Sequence, residues 1–124
     1  MHVLVVEDDT RLRQVLVRLL RVGGFDRVEE ASDGAQALER YVLNHHDLVV
    51  LDMVMHGMYG LEVLAKLREL NPKLPVIIVT ADIQKSTREQ VQGAGAAAIV
   101  NKPVKKDELA SVVATVLSGG AAWS

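Results

Sequence analysis

The chain alternates short apolar runs with longer segments in which apolar residues recur every three or four positions. The runs cover residues 3–6 (Val-Leu-Val-Val), 48–51 (Leu-Val-Val-Leu) and 76–79 (Val-Ile-Ile-Val), and each stops at or just before a polar residue. Four apolar residues in a row are too few for a typical helix. Such runs predict strands buried on both faces, the pattern of a parallel sheet. Residues 26–31 predict a weaker strand whose Arg27, Glu29 and Glu30 suit a sheet edge, where charge discourages stray pairing. Residues 96–100 predict a fifth, short strand.

Helical periodicity fills the gaps. Leu12, Val15, Leu16, Leu19 and Leu20 form one stripe, which Asp9 or Thr10 can cap and Gly23-Gly24 can end. Arg11, Arg13, Arg18 and Arg21 lie off that stripe, facing solvent or a partner. After the turn Ser32-Asp33-Gly34, a second helix runs to about Asn44 with Ala35, Leu38 and Val42 inward. A third follows Gly60 on Leu61, Leu64, Leu67 and Leu70 and ends at Asn71-Pro72. A fourth, residues 84–93, has only Ile83 and Val91 as large apolar residues and is weakly anchored. The last carries Leu109, Val112, Val113, Val116 and Leu117. Strand-then-helix repeated five times calls for a parallel sheet, right-handed crossovers and helices on both faces.

Composition narrows the class. A length of 124 residues suits one domain, and 49% hydrophobic residues support a packed core. The expected unit is residues 1–118, with 119–124 a small-residue tail or the start of a linker, in which Trp123 reads as incidental or a linker contact. A net charge of -2 leaves no electrostatic footprint for general nucleic-acid binding. Without cysteine there are no disulfides or cysteine zinc sites, which fits a reducing, cytoplasmic setting. Neither a signal peptide nor a transmembrane helix is expected. The adjacent His45 and His46 diverge and make a poor metal pair, and His56 reads as an exposed loop residue.

The chemistry lies where the strands end: Glu7 and Asp8, Asp52, Thr80 and Lys102. In a parallel sheet these ends share one edge, where open α/β sheets hold their ligands. Three carboxylates, a hydroxyl and an ammonium therefore converge. At an effective dielectric of about 20, unit charges about 4 Å apart interact by roughly 4 kcal/mol, so the acids need Lys102, a cation, or both. Oxygen ligands without His or Cys suit Mg²⁺. A carboxylate can also act as a nucleophile toward phosphorus, with Lys102 and Thr80 holding the phosphoryl oxygens.

With Val-Glu-Asp-Asp at 6–9, Leu-Asp-Met at 51–53, Gly57-Met58-Tyr59-Gly60, Thr80-Ala81 and Lys102-Pro103 in order, the chain resembles the receiver domains of two-component response regulators, especially the stand-alone chemotaxis regulators. The resemblance runs from Val3 to Leu117 and implies a flavodoxin-like (βα)5 fold, a three-layer sandwich with a five-stranded parallel sheet in the order 2-1-3-4-5. It also implies that Asp52 accepts a phosphoryl group from a sensor histidine kinase or histidine phosphotransfer protein. Glu7, Asp8, Asp52 and the Val54 carbonyl would bind Mg²⁺, and Thr80, Lys102 and the Ala81 amide would contact the phosphoryl oxygens. The Lys102–Pro103 bond would be cis. Ile99 replaces the usual aromatic that swings inward with the threonine, Val104 replaces a frequent Phe, and His56 replaces a frequent Pro. Val54 and Asp82 occupy the variable positions that tune phosphoryl lifetime. The implied product is a phosphoacceptor switch rather than a turnover enzyme, a monomer or weak dimer that acts on a downstream protein.

Three other readings are weaker. A phosphatase of the haloacid dehalogenase type needs a second acid two residues beyond the nucleophile, where this chain has Val54. A receiver-like interaction module never controlled by phosphorylation has no use for Asp52, Thr80 and Lys102 together. A Rossmann or P-loop reading lacks the glycine-rich loop after the first strand.

Overall fold

The computed structural model describes residues 1–55, 57–120 and 123, so the expectations for His56 and for tail residues 121, 122 and 124 lie outside the described residues. The elements in chain order are β1 (His2–Val6), α1 (Thr10–Val22), β2 (Arg27–Ala31), α2 (Gly34–Asn44), β3 (Leu48–Asp52), α3 (Gly60–Leu70), β4 (Val76–Thr80), α4 (Lys85–Gly93), β5 (Ala98–Asn101) and α5 (Lys106–Leu117). The strands form one parallel sheet in the order 2-1-3-4-5, the flavodoxin-like arrangement, with the polar β2 at an edge. Between β3 and α3 the expected loop contains a small antiparallel pair, Val54–Met55 with Met58–Tyr59.

Strand alternation divides the core in two. Val3, Val5, Leu48, Val50, Ile77 and Val79 point to the face covered by α1 and α5. Leu4, Val6, Val49, Leu51, Val76 and Ile78 point to the face covered by α2, α3 and α4. Because both faces are covered, β3 and β4 are buried at every position, which explains their unbroken apolar runs.

The expected stripes of α1 and α3 face the core apart from one residue each, whereas α2 turns a different stripe inward. In α1 the buried set is Leu16, Val17 and Leu20, while Val15 is 42% exposed. In α2 it is Gly34, Ala37 and Tyr41 with Leu38 partly buried, whereas Ala35 and Val42 face out. Two stripes overlap at Leu38. The one holding Tyr41 wins because it buries an aromatic ring whose hydroxyl accepts a hydrogen bond from Asn71 at 3.0 Å. In α3, Val63 is buried and Leu70 is exposed. Ile83 precedes α4 and is 81% exposed, so Val91 is the large apolar residue that holds this helix down, with Thr87 beside it.

Trp123 is not incidental. Its indole N–H donates to the Ala96 carbonyl at 3.2 Å, its ring packs on the α2–α4 side of the core, and the Arg88 guanidinium lies 5.3 Å from its ring centre. No helix among the described residues is long and apolar enough to cross a membrane.

Candidate functional site

The residues just beyond the strand ends are held by backbone bonds that continue the sheet. The Glu7 amide donates to Ala31 O at 3.1 Å, the Met53 amide to Val79 O at 3.0 Å, and the Lys102 amide to Thr80 O at 2.8 Å. Asp52 itself is the last residue of β3, opposite Val79 in the register with β4. The side chains at this edge are therefore set by the sheet rather than by loose loops.

Their convergence is direct. Lys102 Nζ lies 2.9 Å from Asp52 Oδ1 and 3.8 Å from Glu7 Oε2. Asp52 is 3% exposed and Glu7 1%. Glu7, Asp8 and Asp52 each bring a carboxylate oxygen within 4.8 Å of the others. Glu7 Oε1 accepts from the Asp9 amide at 3.2 Å, while Glu7 Oε2 is buried with no hydrogen-bond partner among the described residues. Burial, and then the charge of Asp52, push the Glu7 carboxyl up to about 7, with the Asp9 amide and Lys102 pulling it back.

Glycine makes the crowding possible. A Cβ at Gly60 would stand 2.3 Å from the Asp52 carbonyl oxygen and 2.8 Å from Met53 Cα, both backbone atoms. Only a residue without a side chain lets α3 start this close to the end of β3, where the Gly60 amide donates to Met53 O at 2.7 Å.

Thr80 ends β4 and is buried. Its hydroxyl oxygen accepts from the Asp82 amide at 3.0 Å. The Asp82 carboxylate in turn accepts from the Gln84 amide at 2.9 Å and from the Thr87 hydroxyl at 2.6 Å. These bonds, the Thr87 one foremost, hold the exposed Asp82 carboxyl below its usual range. A continuous polar link thus runs from Thr80 to the first turns of α4, and Asp82 and Thr87 were not singled out for it by their sequence spacing.

The other anticipated positions are more dispersed. Val54 and Ala81 are exposed on the crevice loops, and Pro103 follows a cis bond from Lys102. Ile99 lies half-buried in β5 and packs against the core on the α2–α4 side. Arg13, expected on a solvated face, instead donates to the Glu7 carbonyl at 2.8 Å and to Glu30 Oε1 at 3.0 Å, tying α1 to the ends of β1 and β2. Sequence spacing gave no hint of this, because Arg13 sits between the apolar positions of its helix.

An all-oxygen donor set with an orphaned buried oxygen suits a hard cation, and a buried carboxylate beside an ammonium suits attack on an electrophilic phosphorus.

Comparison with known proteins identifies the family. The model of the response regulator receiver domain matches residues 3–114. The response regulator MprA of Mycobacterium leprae is 38% identical over 119 residues, covering 94% of this chain and 51% of that protein. The sensor protein EvgS of Escherichia coli K12 is 38% identical over 109 residues, covering 88% of this chain and 9% of that protein. The chain therefore spans about half of one of these relatives and about a tenth of the other. Among solved structures, the Vibrio cholerae chemotaxis protein CheY4 superposes with a TM-score of 0.87 at 26% identity, over 93% of this chain and 97% of that one. A LuxR-family two-component response regulator from Aurantimonas superposes with a TM-score of 0.91 at 27% identity, over 99% of this chain and 89% of that one. Fold, strand-end residues and relatives lead to one family: the chain belongs to the response regulator receiver domains of two-component systems.

Proposed function

We propose that this receiver domain is a phosphorylation switch whose acceptor is Asp52. The observation that carries the reading is the Lys102 ammonium 2.9 Å from Asp52 Oδ1 at the buried end of the central strand. An Asp52 carboxylate oxygen attacks the phosphorus of a phosphohistidine on a sensor kinase or phosphotransfer protein. The P–O bond forms as the P–N bond breaks, and the departing imidazole takes up a proton from solvent. Lys102, the Thr80 hydroxyl and the Ala81 amide hold the phosphoryl oxygens, so catalysis is alignment and charge neutralisation. The receiver unit is residues 1–118, and its setting is the cytoplasm.

Glu7, Asp8 and Asp52, with the Val54 carbonyl, fit Mg²⁺: the donors are all oxygen, and Glu7 Oε2 lacks a hydrogen-bond partner among the described residues. Bound there, Mg²⁺ supplies the positive charge that lets three acids and a phosphoryl group share one crevice.

The response follows from the polar link. Added charge on Asp52 draws Lys102 and Thr80 inward. Thr80 is tied through Asp82 to α4, a helix whose large apolar anchor is Val91. A helix so lightly held shifts at small cost. With Ile99 packed in the core, the signal passes through Asp82 and Thr87 rather than through a swinging aromatic ring, and reaches the α4–β5–α5 surface where a downstream protein binds.

The test is labelling with acetyl phosphate, with and without Mg²⁺, read by intact mass on the wild type and on Asp52→Asn. One phosphoryl adduct that requires Mg²⁺ and is absent from the variant is expected. An adduct that survives Asp52→Asn would move the acceptor elsewhere. No adduct from acetyl phosphate or from any phosphohistidine donor would favour an interaction module.

A further inference from the structure

The opposite edge of the sheet holds a second cluster. His2 begins β1, Glu29 lies in the edge strand β2, and His46 precedes β3. Each offers one ligand atom within 4.8 Å of the others. His46 Nε2 stands 2.7 Å from Glu29 Oε1, and His2 Nε2 stands 3.9 Å from the same oxygen. The two imidazole rings lie 4.3 Å apart, tilted by 51°. His46 is 2% exposed, and Nδ1 of both His2 and His46 is buried without a hydrogen-bond partner among the described residues.

We propose that His2, Glu29 and His46 form a binding site for a first-row divalent transition cation, of which Zn²⁺ is the best fit, one strand length from the phosphorylation crevice. Two imidazoles and a carboxylate are the donor set that three-ligand zinc sites use, with water at the fourth position. Ligand bonds of about 2.1 Å in a tetrahedron place neighbouring donors about 3.4 Å apart, between the two separations found here. The 2.7 Å contact opens and the 3.9 Å contact closes by side-chain adjustments alone. Burial, and then the neighbouring His2, hold His46 below the usual histidine range, which favours the uncharged ring that a metal requires. Hydrogen bonds from His46 and Asn44 outweigh burial and hold Glu29 ionised below its usual range. Arg40 lies 3.7 Å from the other Glu29 oxygen, and Asn44 Nδ2, which donates to Oε1 at 2.9 Å, leaves that oxygen a second lone pair for the ion.

The site joins three segments that touch only through the fold. Asp47 strengthens the frame: its carboxylate accepts from the His2 amide at 2.8 Å and its own amide donates to the His2 carbonyl at 2.8 Å. A cation here would clasp β2, which hydrogen-bonds on one side only, to the start of β1 and to the loop before β3.

The experiment is a Zn²⁺ titration of the chain carrying no polyhistidine tag, with excess Mg²⁺ present to fill the acidic crevice, followed by calorimetry and by Co²⁺ visible absorption. One equivalent is expected to bind, with His2→Gln and Glu29→Gln each weakening it at least about 100-fold, beyond the range seen when only supporting residues are changed. His2 is only partly buried, so His2→Gln keeps the fold where His46→Gln could lose it, and circular dichroism confirms this. Binding that persists in His2→Gln and Glu29→Gln but disappears in Asp8→Asn would overturn the proposal by placing the ion at the other edge. No stoichiometric binding would overturn it too, leaving the cluster a hydrogen-bonded strut.

Discussion

The two edges of the sheet handle a glutamate in opposite ways, buried Glu7 at one and partly exposed Glu29 at the other. At the carboxyl edge Glu7 faces Asp52, has one oxygen without a hydrogen bond among the described residues, and is pushed up to about 7. At the amino edge Glu29 receives hydrogen bonds from His46 and Asn44, has Arg40 nearby, and is held below the usual glutamate range. The difference is one of balance. The amino edge supplies its acid with hydrogen-bond donors and an arginine. The carboxyl edge gathers more negative charge than Lys102 alone can neutralise, an imbalance that a bound cation would relieve. A surplus of one charge, held rigidly by strand ends, leaves that edge in need of a cation.

The largest predicted break in that comparison is Gly60→Ala. The new methyl group would meet backbone at the end of β3, so the loop must move. A loss of about 3 kcal/mol in urea unfolding is expected, together with at least about tenfold slower labelling of Asp52, because the acid is displaced from Lys102. A mutation at the amino edge such as His2→Gln leaves labelling intact.

Next in size is the response to pH without metal. The protonated Glu7 contributes stability that is complete below about 4.5 and is lost as pH rises through about 7. The metal-free protein should therefore weaken across that window, by at most about 3 kcal/mol, and Mg²⁺ should restore it at neutral pH. His46 and Glu29 have depressed values, so their contributions are present at neutral pH and lost on acidification. Glu7→Gln should leave the slope of these groups and of Asp82, with stability rising toward neutrality in denaturant titrations at a series of pH values. A Glu7→Gln protein that keeps the wild-type profile would refute the assignment.

The smallest is Asp9→Ala. Asp9 caps α1 by accepting the Leu12 amide at 3.0 Å, and its own amide holds Glu7 Oε1. A cost of about 1 kcal/mol in thermal unfolding is expected, with a modest drop in Mg²⁺ affinity and no change at the amino edge.

Legibility differed by residue for physical reasons. Asp52, Thr80 and Lys102 could be read because a parallel sheet sends all its strand ends to one edge, so a polar residue ending an apolar run already has an address. Helix faces were harder. Val15 and Val17, or Val42 and Tyr41, lie on neighbouring stripes that both satisfy helical periodicity, and only the shape of the covered sheet chooses between them. Ile83 looked like an anchor by hydrophobicity, yet it precedes the helix and faces water. Trp123 found its place through a carbonyl at Ala96 that periodicity does not reveal.

The sequence by itself determined the alternation of strand and helix, the parallel sheet, the edge character of β2 and the set of groups at the carboxyl edge. Each follows from local patterns of apolar and polar residues. Only the tertiary structure decided which helix faces are buried, how Thr80 reaches α4 through Asp82 and Thr87, and that His2, Glu29 and His46 meet. Those contacts join residues remote in the chain, and their distances depend on strand order and register, which no local pattern encodes.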